Sequence, residues 1–314
     1  MYRIILYYNF KRIDHPEKFC AQHRDDCLKL KLKGRIYIAF EGINGTLAGS
    51  VEAIEEYKKY LCSIPHFEDT EFKDDDSSSL PFTKLIVKTR PEIVALKASI
   101  QVDPSKEQRN YLTPRQWKEA LDSERNFILL DVRNRYESRV GHFEGAVLPA
   151  EENFFDFERW LDHTKLDKNK KVLMYCTGGI RCEKFSVLMR QKGFAKIYQL
   201  KGGIINYAKE EGDAHYRGKC FVFDDRLTIP VEKNQKEPLA QCDITGEPCD
   251  TYLNCANCDC NKLFICSQEG ALKYEGCCSE TCMQANKKRP FDANKIYEPT
   301  RKWYTYFEKK GMLS

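Results

Sequence analysis

The sequence predicts a mixed protein with three parts: an α+β domain, an α/β domain and a cysteine-rich region. Residues 1–95 read as strand, helix, strand, strand, helix, strand, which is the split βαβ order. From Leu112 onward, helices alternate with apolar strands that end in charge, the pattern of parallel strands buried on both faces. Nine of the fifteen cysteines then lie between Cys242 and Cys282.

The chain has 314 residues, enough for several domains of about 100 to 150 residues each. We expect an N-terminal domain over 1–95, a linker over 96–111, an α/β domain over 112–218 and a C-terminal region over 219–314. The net charge of +4 indicates no particular class of partner. The first residues contain no apolar stretch long enough for a signal peptide or a membrane span, so we expect a cytoplasmic protein with no membrane partner.

The N-terminal order predicts a ferredoxin-like, or acylphosphatase-like, domain. The predicted elements are a strand at 3–9, a helix at 16–31, strands at 35–40 and 45–48, a helix at 51–62 and a last strand at 84–88. The motif Glu41-Gly42-Ile43-Asn44 is predicted to be the turn between the two middle strands. The glycines of the segment 41–46 permit a close approach to a ligand or to the neighbouring domain, and we favour a substrate-facing role near the Cys176 loop. The polar run at 74–79 is predicted to be a solvated loop.

In the α/β domain, Thr113, Pro114 and Gln116 predict a capped helix start. The apolar runs 127–133 and 172–175 predict buried parallel strands. Ligands of such sheets lie beyond the carboxyl ends of the strands, and Cys176 stands at one of these ends.

The loop after Cys176 is the strongest candidate for a reactive site. Its residues are Thr177, Gly178, Gly179, Ile180 and Arg181. The glycines let the backbone curl so that amide groups point inward, and a helix that starts at Arg181 adds positive potential at the sulfur. Both effects lower a thiol pKa and favour a bound anion, so Cys176 is the predicted nucleophile. The alternative is a buried free cysteine before a glycine turn.

These motifs resemble the successive landmarks of a rhodanese domain. The segments that carry the resemblance are Leu130-Asp131-Val132-Arg133, Gly141-His142-Phe143-Glu144-Gly145-Ala146, the loop 176–181 and Leu200-Lys201-Gly202-Gly203. Related phosphatases have one more residue between the cysteine and the arginine, which enlarges the ring for phosphate. The shorter ring of this chain suits a sulfur atom carried on cysteine.

A narrower resemblance covers nearly the whole length. The segment Gly34-Arg35-Ile36-Tyr37-Ile38-Ala39-Phe40-Glu41-Gly42-Ile43-Asn44-Gly45-Thr46, the segment 176–184 and the cysteine-rich tail together resemble the tRNA uridine hydroxylase family called TrhO. This resemblance implies oxygen-dependent conversion of the wobble uridine of tRNA to 5-hydroxyuridine. It implies molecular oxygen as co-substrate and the tRNA anticodon loop as partner.

Three residues have roles that the sequence leaves open. Cys182 is close enough in sequence to be a second, resolving thiol for an oxidised Cys176, and its alternative is simple packing under the loop. Asp131 and Arg133 are expected to pair and brace the active loop, and the alternative is substrate binding. His142 and Glu144 match half of an iron site, but no third ligand is evident, so we do not assign iron.

The C-terminal cysteines predict a structural zinc site, with disulfides, free thiols or an iron–sulfur cluster as alternatives. The candidate ligands are Cys242, Cys249, Cys255, Cys258, Cys260, Cys266, Cys277, Cys278 and Cys282. Cys255 and Cys258 have the spacing of a metal knuckle.

The segment 283–314 combines charge and aromatic residues. It holds eight basic and three acidic residues, a local charge of +5, with Phe291, Tyr297, Trp303, Tyr304, Tyr306 and Phe307 between them. Such a surface tracks phosphates and stacks on unpaired bases, so we expect RNA contact for part of it. The alternative is a tail whose aromatics pack onto the preceding domain.

The main functional hypothesis is therefore a tRNA-modifying oxidoreductase that uses Cys176, through a persulfide or a related oxidised state of its sulfur, with a small-molecule or protein sulfur donor as a candidate partner. The alternative is a sulfurtransferase that passes sulfane sulfur from thiosulfate or a persulfide to a thiol. A non-enzymatic RNA-binding sensor is a third class, and the intact cysteine and arginine loop argues against it.

Overall fold

The computed structural model describes residues 1–107, 109–235 and 237–297. The strands are β1 (Tyr2–Asn9), β2 (Lys33–Ala39), β3 (Gly42–Ser50), β4 (Phe72–Ser77), β5 (Leu85–Thr89), β6 (Tyr111–Leu112), β7 (Phe127–Asp131), β8 (Gly141–Phe143), β9 (Lys171–Tyr175), β10 (Ile197–Leu200), β11 (Tyr216–Phe221), β12 (Thr228–Pro230), β13 (Tyr252–Asn254) and β14 (Leu263–Ile265). The α-helices are α1 (Pro16–Lys29), α2 (Val51–Ser63), α3 (Pro114–Ser123), α4 (Arg135–Ser138), α5 (Phe157–His163), α6 (Ile180–Gln191), α7 (Gly203–Glu210), α8 (Gln268–Lys273) and α9 (Glu280–Met283). Among the described residues, none of the helices has the length and apolarity needed to cross a membrane.

The N-terminal domain is a five-stranded sheet in the order β4-β1-β3-β2-β5, with α1 and α2 packed on one face. β1 pairs antiparallel with β3 and β4, and β2 pairs antiparallel with β3 and parallel with β5. The predicted ferredoxin-like class is confirmed. The strand predicted as the last of the split βαβ order is instead a fifth strand at the opposite edge, and β4 takes the position beside β1.

The acidic run is the clearest error of the sequence prediction, because Asp74, Asp75 and Asp76 lie in β4 rather than in a loop. They pair with β1 at an edge of the sheet, where charged residues are common because one side of the strand faces solvent. Cations also compensate the charge. Lys58 Nζ lies 2.5 Å from Asp74 Oδ2, and Arg3 Nε lies 3.2 Å from Asp76 Oδ1.

The predicted turn at Glu41-Gly42-Ile43-Asn44 is also shorter in the structure. Ala39 pairs directly with Gly42, so only Phe40 and Glu41 connect β2 to β3. Gly42 has a φ of +146°, and a Cβ there would lie 2.0 Å from the carbonyl oxygen of Asn9. The glycine is therefore required by the close approach of the end of β1 rather than by the turn itself.

The α/β domain has a four-stranded, all-parallel sheet in the order β6-β10-β9-β7. Side chains of α3 and α7 pack on one face and those of α5 and α6 on the other, which explains why the strands read as continuous apolar runs. The predicted capping box of Thr113 and Gln116 begins α3. Every residue of α6 from Arg181 to Met189 is buried, because the N-terminal domain covers its outer face.

The cysteine-rich region packs against the α/β domain around its own apolar cluster. It follows the small sheet β12-β11-β8 and contains the hairpin β13-β14. The hydroxyl of Tyr252 donates a hydrogen bond to the carbonyl oxygen of Tyr136, which joins the hairpin to the short helix α4. The α/β domain is thereby in contact with both neighbouring parts of the chain.

Candidate active site

Cys176 lies directly after β9, and its loop leads into α6. Gly179 adopts the left-handed conformation with φ of +105°, and its amide lies 3.1 Å from the Cys176 sulfur. The amides of Arg181 and Cys182 also donate to this sulfur. The structure therefore brings together the loop that the sequence predicted, and amides from its glycine turn and from the helix start point at the sulfur.

The electrostatics of the loop favour a thiolate. Burial opposes ionisation of Cys176, which is 1% exposed, but the Cys182 thiol, the Arg181 charge and the amides of Arg181 and Cys182 outweigh it. Together they lower the pKa of Cys176 to about 5. An ordinary cysteine has a pKa of about 8.5, so the folded protein holds Cys176 as a thiolate at neutral pH.

This pKa predicts an unusual titration. Because the pKa is lowered, the Cys176 thiolate should persist from neutral pH down to about pH 5 and be protonated below it. The measurement is the ultraviolet thiolate absorbance of the wild-type protein minus that of a Cys176→Ser variant across this range. A thiolate absorbance difference that appears only above about pH 8, as for a free thiol, would contradict the stabilisation of the Cys176 thiolate by its loop.

The sequence prediction missed Glu137, the principal partner of Arg181. Arg181 Nη1 and Nη2 lie 2.5 and 2.8 Å from the two Glu137 carboxylate oxygens, and both side chains are buried. Arg181 therefore stabilises the thiolate, while Glu137 neutralises part of the charge of Arg181. The sequence did contain one indication of Glu137, namely its spacing from Asn134, which is typical of a capping box. In the structure the Glu137 carboxylate accepts a hydrogen bond from the backbone amide of Asn134 at the start of α4.

Asp131 and Arg133 form a second buried ion pair. Arg133 Nη2 lies 2.6 Å from Asp131 Oδ2 and 2.6 Å from the carbonyl oxygen of Gly141. The Arg133 guanidinium also lies 5.8 Å from the centre of the Tyr175 ring, one residue before Cys176. These contacts fit the bracing role, because both side chains are fully buried and paired with each other.

Cys182 lies in the first turn of α6, fully buried, with its thiol hydrogen-bonded to the Cys176 sulfur. Burial raises the pKa of Cys182 well above its ordinary value, so it is a neutral donor beside an ionised acceptor. The two sulfurs are therefore neighbours, although Cys182 is also part of the apolar core.

The N-terminal sheet covers the Cys176 loop. A Cβ placed on Gly178 would lie 2.4 Å from Leu6 Cδ2, and one placed on Gly179 would lie 2.7 Å from the Tyr8 hydroxyl oxygen. The Tyr8 hydroxyl donates to the buried carboxylate of Glu183 at 3.0 Å. Only glycines leave room for this contact, so the sequence of the loop also fits the domain above it.

Two charged residues of α6 extend the same contact. Glu183 accepts a hydrogen bond from the Tyr111 hydroxyl at 2.7 Å and pairs with Arg109 at 3.2 Å. Lys184 Nζ lies 2.9 Å from Glu41 Oε2 and also pairs with Glu92. Glu41, which the sequence placed on the substrate side, thus binds the neighbouring domain at the helix that begins in the Cys176 loop.

The first turn of α7 supports the loop. The amides of Ile204 and Ile205 donate to the carbonyl oxygens of Cys176 and Thr177 at 3.0 and 3.1 Å. Gly203 has a φ of +70°, and a Cβ there would lie 2.6 Å from both carbonyl oxygens and 2.8 Å from the Gly178 nitrogen. All of these atoms are backbone, so a side chain at position 203 must displace the loop.

We therefore expect Gly203→Ala to raise the pKa of Cys176 and to destabilise the α/β domain. The matched control is Gly212→Ala, because Gly212 has a φ of +69° but no atom within 4 Å of a Cβ. Both variants carry the strain of a left-handed alanine, about 1 to 2 kcal/mol, and only Gly203→Ala disturbs the loop. Urea unfolding and the thiolate titration measure the two effects, and equal behaviour of the two variants would contradict this assignment.

Four cysteines of the C-terminal region come together. The sulfurs of Cys255, Cys260, Cys278 and Cys282 all lie within 4.8 Å of one another. The Cys278 sulfur lies 3.7 Å from that of Cys260 and 3.8 Å from that of Cys282. A tetrahedral zinc site with Zn–S bonds of about 2.3 Å separates its sulfurs by about 3.8 Å, so this donor set can hold a metal ion.

The knuckle predicted from Cys255 and Cys258 does not form. The Cys258 thiol is turned toward the carbonyl oxygen of Ala256, and Cys260 joins Cys255 instead, because the chain bends between them to form a turn. Five of the candidate ligands lie outside the group of four: Cys242, Cys249, Cys258, Cys266 and Cys277.

The basic and aromatic segment is only partly within the described residues. Trp303, Tyr304, Tyr306 and Phe307 lie outside them. Phe291 packs against the apolar cluster of the cysteine-rich region, and Tyr297 is 46% exposed.

Known protein families match all three parts of the chain. A UPF0176 acylphosphatase like domain matches residues 2–93, a Rhodanese-like domain matches 113–210 and a Rhodanase C-terminal model matches 217–283. Proteins called tRNA uridine(34) hydroxylase are similar over most of the length. The one from Bacillus cereus is 41% identical, with 92% of this chain and 91% of that protein covered. The one from Bacillus licheniformis is 43% identical, with 90% and 88% covered.

Among solved structures, the Rhodanese-like domain of the Alr3790 protein from Anabaena sp. is similar to part of the chain. It is 25% identical with a TM-score of 0.30, and the match covers 35% of this chain and 80% of that domain.

Proposed function

The chain belongs to the tRNA uridine(34) hydroxylase family, and from this premise we propose that it is a tRNA-modifying oxidoreductase that converts the wobble uridine to 5-hydroxyuridine through Cys176. The observation that carries the proposal is the buried loop in which three amides and Arg181 hold Cys176 as a thiolate. The substrate is tRNA, with molecular oxygen as co-substrate. One oxygen atom is inserted at C5 of the uracil, and the other leaves as water with two electrons and two protons supplied by a thiol reductant. The uridine has to leave its stack to reach a buried site, as in other enzymes that act on bases.

In this proposal the residues in and around the Cys176 loop have separate roles. Cys176 is the nucleophile, and the amides of Gly179, Arg181 and Cys182 hold an anionic sulfur on it. Arg181 supplies positive charge, fixed in place by Glu137. Cys182 is the second thiol that donates to the Cys176 sulfur, and Asp131 with Arg133 braces the strand end.

A sulfurtransferase is the second candidate, favoured by the short ring between Cys176 and Arg181. In that reaction the Cys176 thiolate attacks the outer sulfur of thiosulfate, the new sulfur–sulfur bond forms, and sulfite leaves with the electron pair of the broken bond. The persulfide then passes its outer sulfur to an acceptor thiol. If the hydroxylase also uses a persulfide on Cys176, a small-molecule or protein sulfur donor is needed to form it.

Purified protein distinguishes the two candidates. It is incubated in air or under argon, in the presence of a dithiol as two-electron donor, with a tRNA transcript that has uridine at position 34. The nucleosides are then analysed by mass spectrometry. The proposal predicts 5-hydroxyuridine in air only, and none from a transcript with cytidine at that position. Rapid thiosulfate turnover with unchanged tRNA under every condition would support the sulfurtransferase instead.

We also propose that Cys255, Cys260, Cys278 and Cys282 hold a structural zinc ion. Their sulfur separations support it, as do the amides of Cys278 and Asn257, which donate to the sulfurs of Cys255 and Cys282. Bound zinc would link the hairpin β13-β14 to α9 and add to the folding free energy of this region.

The zinc site predicts different metal contents for two neighbouring variants. Cys260→Ser should lose most of the bound zinc, because Cys260 is one of the four ligands. Cys258→Ser is the matched control and should keep it, because its thiol lies outside the group. Metal analysis of protein purified without chelator measures both, and equal zinc in the two variants would refute the assignment of Cys260.

The proposed function is accompanied by proposals for the domain boundaries and the cellular location. We propose boundaries near residues 95, 111 and 218, with the segment 96–111 as linker, and a cytoplasmic location, where tRNA is found. Limited proteolysis tests the linker, and cell fractionation tests the location.

A further inference from the structure

A cleft lies beside the Cys176 loop, between the N-terminal sheet and the rest of the chain. Its first wall is the face of the sheet formed by β1, β3 and β4. Thr177 lies at its base, and the segment that follows β11 forms the opposite wall. The cleft therefore combines side chains from the N-terminal domain, the active-site loop and the start of the C-terminal region.

One row of side chains crosses the sheet at the cleft. Leu6 is the cross-strand neighbour of both Lys73 on β4 and Thr46 on β3, so the three share one face. Leu6 touches Gly178, which shows that this face looks onto the Cys176 loop. The row places one cation, one apolar side chain and one hydroxyl in the wall of the cleft.

Lys73 is the unusual member of this row. Its ammonium lies 5.0 Å from the centre of the Tyr8 ring, and within the described parts of the chain it donates no hydrogen bond and forms no ion pair. Burial lowers the pKa of Lys73, although the charges of Glu71, Cys176 and Glu183 oppose this effect. A partly buried ammonium without an acceptor is costly, and a ligand with a carbonyl oxygen would supply one.

The opposite wall presents a flat apolar surface. Phe223 is 44% exposed, which is high for a phenylalanine, and the Arg181 guanidinium lies 5.8 Å from its ring centre. The ring is therefore close to the Cys176 loop and open to the cleft. Aromatic rings in such positions stack on single bases.

Ion pairs hold the two walls together at one end of the cleft. Arg226 Nη1 lies 2.5 Å from Asp75 on β4, and Arg226 Nη2 lies 2.7 Å from the buried Asp224. The amide of Asp225 also donates to the carbonyl oxygen of Pro81. These contacts join β4, which carries Lys73, to the segment 223–226, which carries Phe223.

We propose that this cleft binds the reacting uracil base, with its ring stacked on Phe223 and its carbonyl oxygen at C4 accepting a hydrogen bond from Lys73. This inference rests on the proposed function and names the site of its substrate. A cytosine carries an amino group at the same ring position, which donates and is repelled by an ammonium. Lys73 therefore selects uracil, and it makes the N-terminal domain a part of the active site.

Binding is tested first without any turnover. A tRNA transcript with 5-iodouridine at position 34 is irradiated with the full-length protein, and the cross-linked peptide is identified by mass spectrometry. The expected peptide contains Phe223, and Phe223→Leu should remove the cross-link while tRNA binding remains. A cross-link confined to peptides outside the cleft would overturn the proposal.

Kinetics then test Lys73. Lys73→Met should lower the rate of hydroxylation at saturating tRNA by about 10- to 100-fold, because a hydrogen bond to a charged group is worth about 1.5 to 3 kcal/mol. Lys73→Arg should recover part of the rate, and the KM for tRNA should change little. Lys18→Met is the matched control, an exposed lysine on α1 of the same domain, and should keep the wild-type rate.

The two readouts separate this inference from the proposed function. A cross-link in the cleft without any hydroxylation by the wild-type protein would refute the function and leave the base site standing. Hydroxylation by the wild-type protein with an unchanged rate in Lys73→Met would refute the base site and leave the function standing. Thermal unfolding of each variant confirms that a lost rate is not a lost fold.

Discussion

Replacing Cys176 with serine should abolish hydroxylation and leave the fold intact. Serine has nearly the same shape, so the 1% exposed position stays filled, but its hydroxyl does not ionise near neutral pH and cannot carry sulfur. We expect the rate to fall by a factor of at least about 10³, as for the loss of other enzymatic nucleophiles. Nucleoside mass spectrometry of treated tRNA measures the loss.

The control for this prediction is Cys62→Ser, which alters a half-buried cysteine of α2 far from the loop in sequence. This variant should hydroxylate tRNA at the wild-type rate. Thermal unfolding and tRNA binding of Cys176→Ser should match those of the wild-type protein. A folded Cys176→Ser protein that still forms 5-hydroxyuridine would refute a cysteine mechanism.

Glu137→Gln should strongly destabilise the α/β domain. The change leaves the Arg181 charge buried without its partner, since both side chains are at most 5% exposed. Breaking one side of a buried ion pair costs about 3 to 5 kcal/mol. The free energy of unfolding is measured with urea, followed by the fluorescence of Trp117 and Trp160, which both lie in this domain.

Two comparisons make the Glu137 prediction specific. With Arg181→Met already present, Glu137→Gln should lower the free energy of unfolding much less, because no charge is left unpaired.

Asp131→Asn breaks the other buried pair and should also destabilise the domain, but it should leave the pKa of Cys176 near 5. In Glu137→Gln that pKa should move down and not up, because Arg181 then acts on the thiolate unopposed. A Glu137→Gln protein as stable as the wild-type protein would show that Glu137 does not stabilise the buried Arg181 charge.

Local motifs carried most of what the sequence predicted correctly. The capping box at Thr113, the glycine turn after Cys176 and the order of the N-terminal elements depend on residues close together in the chain. The sequence also indicated the Asp131 and Arg133 pair, whose members are two residues apart.

Contacts between distant segments were not predictable in this way. Glu137 and Arg181 are 44 positions apart, and Tyr8 and Glu183 are 175 apart, so only the packing of the domains brings them together. The acidic run became a strand because Lys58, Arg3 and Arg226 compensate it from elsewhere. Spacing alone likewise favoured Cys258 as a ligand, whereas the fold of the hairpin presents Cys260.

The nucleoside composition of tRNA from cells that lack the gene for this chain tests whether Cys176 hydroxylates the wobble uridine. We expect 5-hydroxyuridine and the nucleosides derived from it to be missing from these cells. The wild-type gene should restore them, and a Cys176→Ala gene expressed at the same level should not. Equal restoration by the Cys176→Ala gene, or an unchanged nucleoside profile in cells without the gene, would contradict this expectation.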